Sequence, residues 1–224
     1  MLALTLYTWI KDTPELDLSL LDKSYYITEE REWIDIDDMP ENLIDAFVSI
    51  EDIRFYKHKG VDTKRFCGAV LGQFTGSNYG GSTITQQLIK NVYLTNEVTY
   101  KRKAQEIWLA LNLETKMSKD EILECYLNII YFGDANYGVG AAAKNYFGKD
   151  LDELTLKECA LLAGLAKNPN GYNPRINMYI KDDISRTDKR TNTVLWNMYD
   201  KGFITEKEYN QALEEEYNII NIYN

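Results

Sequence analysis

Histidine is nearly absent: the 224 residues contain only one, His58. A metal centre built on several imidazoles is therefore excluded. A four-ligand zinc site would need His58 and every cysteine, at unsuitable spacings. Cysteine is almost as scarce. Cys67, Cys125 and Cys159 are odd in number and far apart, so no disulfide framework is implied, and each reads as a small buried apolar residue rather than a reactive thiol. Long apolar runs are missing too. Residues 1–10 are apolar but reach only about half the length that spans a bilayer. They read as the tail of a membrane anchor, a docking segment or a first buried element, and no complete secretory signal is visible. Repeats and low-complexity tracts are absent. With 45% hydrophobic and 27% charged residues, the chain is neither disordered nor integral to a membrane, and its length suits one domain, at most two lobes.

Positive charge is in short supply overall. The formal net charge of −10 by itself argues against an anionic partner. The deficit is local, however. Residues 1–53 hold three Lys/Arg against fourteen Asp/Glu, and residues 117–224 hold twelve against seventeen. Between them, residues 54–116 hold ten against four. The middle of an acidic chain is a basic island.

What is present in abundance is helical patterning. Pro40 suits a first helical turn, and Leu43, Ala46, Phe47 and Ile50 follow at i, i+3, i+4 and i+7. Capping boxes at Ser118–Glu121, Thr155–Glu158 and Thr205–Glu208 predict three later helix starts. A short strand is expected at Ser24–Thr28, and loops at 133–140 and 167–174, rich in Gly, Asn and Pro. The fold class is mainly α.

Three runs could carry chemistry. The first is Glu51-Asp-Ile-Arg-Phe-Tyr-Lys-His-Lys-Gly60. Glu51 falls where the Pro40 helix ends, beside apolar Phe55, where a carboxylate can be tuned toward a base working near neutral pH; a solvated charged helix end is the competing reading. The second runs from Gly80 to Asn91. Two glycines and Ser82 predict a tight turn into a capped helix N-terminus, which favours anions. Thr83, Gln87 and Lys90 line one polar face of that helix, suited to sugar hydroxyls and a phosphate, with Ile84 and Leu88 in an apolar row beside it. The third is Lys101-Arg-Lys-Ala-Gln-Glu106. Arg102 and Glu106 at i, i+4 read either as a surface ion pair or, with Lys103, as a grip on a diphosphate.

Together the three runs resemble glycosyltransferase family 51, the peptidoglycan glycosyltransferase domain of class A penicillin-binding proteins and monofunctional transglycosylases. The family's Glu-Asp-x-x-Phe-x-x-His-x-Gly is matched by Glu51, Asp52, Phe55, His58 and Gly60. Its Gly-Gly-Ser-Thr-Ile-Thr-Gln-Gln-Leu-x-Lys-Asn is matched from Gly80 to Asn91, and its Arg-Lys-x-x-Glu by Arg102, Lys103 and Glu106. A fourth motif is Lys119, Ile122, Leu123, Glu124, Tyr126, Leu127 and Asn128. The likeness continues through Tyr131–Gly133, Tyr146–Lys149, Leu161–Leu165 and Tyr172–Pro174, and covers roughly residues 36–213. Gly68, Tyr79, Val98 and Gln105 depart from residues common in the family, the last two removing positive charge from the expected donor side.

The resemblance implies a lysozyme-like helical head with a smaller membrane-facing lobe, the lobe falling at residues 61–79. An N-terminal acidic segment over 1–35, with an anchor remnant among the readings open for it, precedes the domain at 36–213, and an acidic tail, 214–224, follows it. The activity implied is polymerisation of lipid II into β-1,4-linked glycan strands with inversion and release of undecaprenyl diphosphate. Glu51 is the implied general base and Glu106 the carboxylate on the diphosphate side. Asp52, Phe55, His58, Ser82, Thr83, Gln87, Lys90, Arg102 and Lys103 form the implied substrate-binding set, with His58 more a structural pin than an acid or base. A divalent cation such as Mg²⁺ near Glu106 is the one cofactor allowed for, with no organic cofactor. The implied partners are lipid II, the growing glycan chain, the membrane surface and cell-wall synthesis or division proteins, not nucleic acid. The implied location is the outer face of the bacterial cytoplasmic membrane. A lytic glycosidase of lysozyme type and a catalytically weak lipid II-binding module are the alternatives. Neither Ser-x-x-Lys nor Lys-Thr-Gly occurs, so acylation by penicillin is not expected of these residues.

Overall fold

Helix starts follow their capping residues. In the computed structural model, which describes residues 2–28, 31–68, 80–95 and 97–223, the boxes at Thr155 and Thr205 are both formed. Ser118 and Glu121 exchange the same pair of bonds, at 2.7 and 3.2 Å. The expected mainly α architecture is observed. Among the described residues, nine α-helices span eight or more residues: α1 (Leu2–Lys11), α2 (Glu41–Glu51), α3 (Ile84–Tyr93), α4 (Tyr100–Leu113), α5 (Lys119–Ile129), α6 (Val139–Phe147), α7 (Leu156–Leu165), α8 (Ser185–Asp200) and α9 (Glu206–Glu214). A shorter helical stretch covers residues 63–68. The only sheet among the described residues pairs β1 (Tyr131–Gly133) with β2 (Asn136–Tyr137).

The chain divides into two units, one formed by Met1–Tyr26 and Arg54–Tyr126, the other by Ile27–Ile53 and Leu127–Asn224. In the first unit α4 packs against α1 and α3, and Ile84, Leu88, Leu109, Leu113, Ile122 and Tyr126 are buried. The α1 helix is tied down through its C-terminal end. Gln105 donates its amide to the carbonyls of Trp9 (3.2 Å) and Asp12 (3.1 Å), and Lys101 pairs with Asp12 at 2.8 Å. The two amide bonds from Gln105 satisfy carbonyls at a helix end, where partners within the helix run out.

In the second unit α2, α7 and α8 pack on one another. Every residue of α7 from Lys157 to Leu165 is buried, the signature of a helix enclosed on all sides. Its two charged residues are matched: both Glu158 oxygens accept from Lys149 (2.9 and 2.8 Å), and Lys157 donates to the Glu215 carbonyl (2.5 Å). The acidic tail is not a loose appendage over its described length. Ile219 is buried, Ile220 N–H donates to the Tyr146 carbonyl (2.9 Å), and the Tyr217 hydroxyl donates to Asp188 (2.8 Å).

Two local expectations need correction. Ser24–Thr28 is not a strand: Lys23–Tyr25 is a 3₁₀ turn, because Asp22 accepts from both the N–H (2.8 Å) and the hydroxyl (2.5 Å) of Ser24. Such local side-chain capping draws the backbone out of an extended path. The expected loop at 133–140 holds the end of β1, the turn of the hairpin, β2 and the first residues of α6. Asp134 (φ 47°) and Ala135 (φ 60°) occupy that turn, both with the positive φ that a type I′ turn requires. Asp134 is held there by its carboxylate, which accepts from Asn173 (2.7 Å) and from the fully buried Arg175 (2.9 Å). The lobe expected at 61–79 falls largely on residues 69–79, outside the described residues, as does Tyr79. Among the described residues no helix is long and apolar enough to cross a membrane.

Candidate active site

Glu51 is the last residue of α2, as the apolar spacing predicted, and is nearly buried. One of its oxygens lies 3.4 Å from Nη2 of Arg190, a residue of α8. Arg190 is in turn fixed by donating Nε–H to the Gly164 carbonyl (3.2 Å) and by lying over the ring of Tyr172 (5.9 Å). Sequence reasoning missed Arg190. The signal was there: Thr187, Thr191, Val194 and Met198 mark the buried stripe of α8, and Arg190 stands at i+3 from Thr187 and i−4 from Val194. A cation on an apolar stripe needs a buried partner. The next residue, Asp52, caps α2 and is fully buried.

In the first unit the first motif ends in a tight approach to α4. Gly60 has φ +81°, and a Cβ there would meet the Ala110 carbonyl oxygen at 2.7 Å. Only glycine fits both demands. The Gly60 carbonyl accepts from the Thr83 hydroxyl at 2.7 Å. Thr83, not Ser82, is the N-cap of α3: its hydroxyl accepts from Gln86 N–H (3.1 Å) while the Gln86 side chain accepts from Thr83 N–H (3.0 Å). Threonine and glutamine three residues apart complete a reciprocal box, which displaces the expected cap by one residue. Thr83 is fully buried and its hydroxyl is committed, so its observed place is in the frame rather than on a ligand-facing surface.

Phe55 is likewise fully buried, with the Lys119 ammonium 4.4 Å from its ring centre and the His58 ring set edge-on at 6.2 Å. Its observed contacts are internal, because an aromatic ring enclosed by a cation and a second ring has no face left for substrate. Tyr126 donates its hydroxyl to Gln87 (3.2 Å), and Asn128 grips the Ile34 backbone through both amide atoms (3.0 and 2.8 Å). Lys90 sits part-buried in the last turn of α3.

The third motif and Ser82 come together. Glu106 is 2% exposed, and its two oxygens are taken by different cations, Oε2 by Arg102 and Oε1 by Lys103. Lys103 also donates to the Ser82 hydroxyl at 2.9 Å. Helix α4 supplies this geometry, since residues three and four apart share a face, and Thr99 starts it by accepting from Arg102 N–H (3.1 Å). With Glu106 buried, the run is not a solvated surface pair. A carboxylate whose oxygens both accept from cations is not an open metal ligand, and no cluster of three acidic, His or Cys side chains suited to a metal exists among the described residues. The donor set therefore does not fit a divalent cation at Glu106. What it does present is fixed positive charge in excess of the single carboxylate.

Of the departures from the family pattern, Val98 is 97% exposed, whereas Gln105 is the buried clamp on α1. Gly68 ends the described part of its helical stretch.

The family model described as Transglycosylase matches residues 20–199. Penicillin-binding protein 1A of Clostridium perfringens is 48% identical over 193 residues, covering 84% of this chain and 28% of that protein. Penicillin-binding protein 1A/1B of Bacillus subtilis is 42% identical over 227 residues, covering 94% and 24%, and penicillin-binding protein 1A of Escherichia coli is 46% identical over 187 residues, covering 83% and 21%. The chain thus spans about a quarter of the length of these curated relatives. The crystal structure of penicillin-binding protein 1A from Haemophilus influenzae aligns with a TM-score of 0.49 at 29% identity, over 87% of this chain and 19% of that one.

Proposed function

Since the chain belongs to the transglycosylase family, we propose that it is a peptidoglycan glycosyltransferase that polymerises lipid II into β-1,4-linked glycan strands. The observation that carries this reading is the buried Glu106 held by Arg102 and Lys103, with Ser82 on the second cation. A hydrolase acting on a neutral glycan has no use for two cations fixed around one carboxylate. A diphosphate leaving group has, because its charge grows as the glycosidic bond breaks.

The reaction is a single inverting displacement. Glu51 takes the proton from the acceptor's 4-hydroxyl, that oxygen attacks the anomeric carbon of the donor, and the bond to diphosphate breaks with both electrons leaving on the phosphate oxygen. Arginine carries five N–H donors and lysine three, so Glu106 takes one donor of each and Ser82 a second from Lys103, and the positive charge of the pair is held in place for the departing group. No step is assigned to a metal ion. Gln87 and Lys90 border the sugars and the phosphate in this scheme, while Asp52, Phe55, His58 and Thr83 act by holding the elements that bear the reacting groups. In this reading the lipid tail brings the chain to the outer face of the cytoplasmic membrane.

The test supplies lipid II and, separately, finished peptidoglycan to the protein. Glu51→Gln is expected to lose polymerisation by about 10²- to 10⁴-fold, and Glu106→Gln by about 10²- to 10³-fold. Consumption of finished polymer with lipid II left untouched would overturn the transferase reading. Full turnover in Glu51→Gln would remove the base.

A further inference from the structure

The outer face of α8 carries a feature that the transferase chemistry does not use. Ser185, Asp188, Lys189, Asn192, Thr193 and Trp196 line an open groove of about 440 Å³. These positions recur at three- and four-residue spacing, so they form one continuous face. At about 100° per residue that face is centred roughly 130° around the helix from Arg190, which points to Glu51.

Trp196 is half exposed and yet rigidly supported. Its ring stands edge-on to both Tyr199 (5.7 Å) and Tyr209 (6.1 Å), and those two tyrosines stack on each other at 5.3 Å and 14°. An indole fixed by neighbours with one side open is a binding platform whose ordering cost is already met by the fold. Next to it, one turn away, Asn192 donates its amide to Asp188 Oδ2 (3.1 Å). That bond sets the orientation of the amide, because a carboxylate only accepts. Asn192 Oδ1 is left buried with no donor among the described residues, an unmet acceptor at the wall of the groove.

An aromatic platform flanked by hydroxyl, amide, carboxylate and ammonium groups matches a pyranose ring. The sugar's C–H face is apolar and lies flat on indole, while its rim of hydroxyl and N-acetyl groups needs donors and acceptors at the edge. We propose that this groove is a second saccharide site that holds a β-1,4-linked N-acetylated glycan strand away from the reacting centre. The inference rests on the proposed polymerase function, whose product has this chemistry.

Binding of chitotetraose, a soluble β-1,4-linked N-acetylglucosamine oligomer, tests it, with calorimetry for affinity and the four tryptophan indole N–H resonances for location. The expected result is a shift of the Trp196 resonance and at least tenfold weaker binding in Trp196→Ala and Asn192→Ala. Trp196→Phe should keep most of the affinity, and both alanine variants should keep the initial rate on lipid II; Asn192→Ala should also keep the melting temperature, which Trp196→Ala lowers through loss of the Tyr199 and Tyr209 contacts. Equal affinity in all variants, or no binding by the unmodified protein, overturns the second site. The polymerase reading fails separately, through the response of lipid II turnover to Glu51→Gln.

Discussion

Arg190 Nη2 stands 3.4 Å from Glu51 Oε1, joining the last residue of α2 to the second turn of α8. Both side chains are largely buried, at 10% and 12% exposure, so this is not one of the solvated pairs that contribute little. The guanidinium is itself held by the Gly164 carbonyl and the Tyr172 ring, and it therefore fixes where the carboxylate points. Arg190 is a positioning residue in the proposed reaction. Arg190→Ala should lower kcat by about 100-fold, the scale of a misplaced reacting group, with a much smaller change in KM for lipid II. Arg190→Lys should recover part of the loss. A change confined to KM would place Arg190 in substrate binding instead.

Asp45 provides a pH signature for the second unit. Burial, with the neighbouring charge of Glu41, pushes its carboxyl up to about 6 from the ordinary 3.8. The folded state holds the proton more tightly than the unfolded chain, so the stability it contributes is complete at pH below about 3.8 and is lost as pH rises through about 6. Asp45 is partly exposed, and screening reduces the effect to roughly 0.5 kcal/mol. Asp45→Asn should therefore melt about 1–2 °C higher at pH 8, with the gain shrinking as the pH falls to 4. Thermal melts at four or five pH values decide it, and a gain independent of pH would contradict the assignment.

Gly60→Ala is expected to destabilise the protein by at least about 2 kcal/mol, combining a strained positive φ with a clash against α4. The contact at fault is with the Ala110 backbone, which cannot rotate away. Denaturant unfolding gives the value directly. A loss below about 0.5 kcal/mol, the range of ordinary surface changes, would mean that the Gly60–Ala110 approach is not as drawn.

The two departures on the donor side should separate cleanly. Val98→Arg adds a cation at a 97% exposed position and should leave stability within about 0.5 kcal/mol, while lowering KM for lipid II in a salt-sensitive way. Gln105→Ala removes the clamp on Trp9 and Asp12, and should speed amide exchange in α1 with little change at Leu88 or Leu109. Equal exchange in α1 before and after the substitution would rule out the clamp.

Much of the fold was legible because its signals are local. A threonine or serine three residues before glutamate satisfies orphan N–H groups wherever it occurs, so α5, α7 and α9 begin where Ser118, Thr155 and Thr205 predicted. The basic island also survives, now with a reason: Arg102 and Lys103 surround a carboxylate that is buried rather than solvated. Local signals also misled. The Ser24–Thr28 segment has strand-like composition, but Asp22 captures Ser24 first. Ser82 looked like a cap until Thr83 and Gln86 formed theirs.

The sequence by itself determined the helical class, the helix starts, the motif residues and the uneven charge, since each depends on spacing within a few residues. Only the tertiary structure decided which motif residues are turned into the framework. Phe55 and Thr83 are turned inward by contacts with Lys119 and Gly60, and Arg190 reaches Glu51 across 139 positions of chain. Such pairings depend on how the helices of each unit pack, and no pattern of neighbours along the chain encodes that distance.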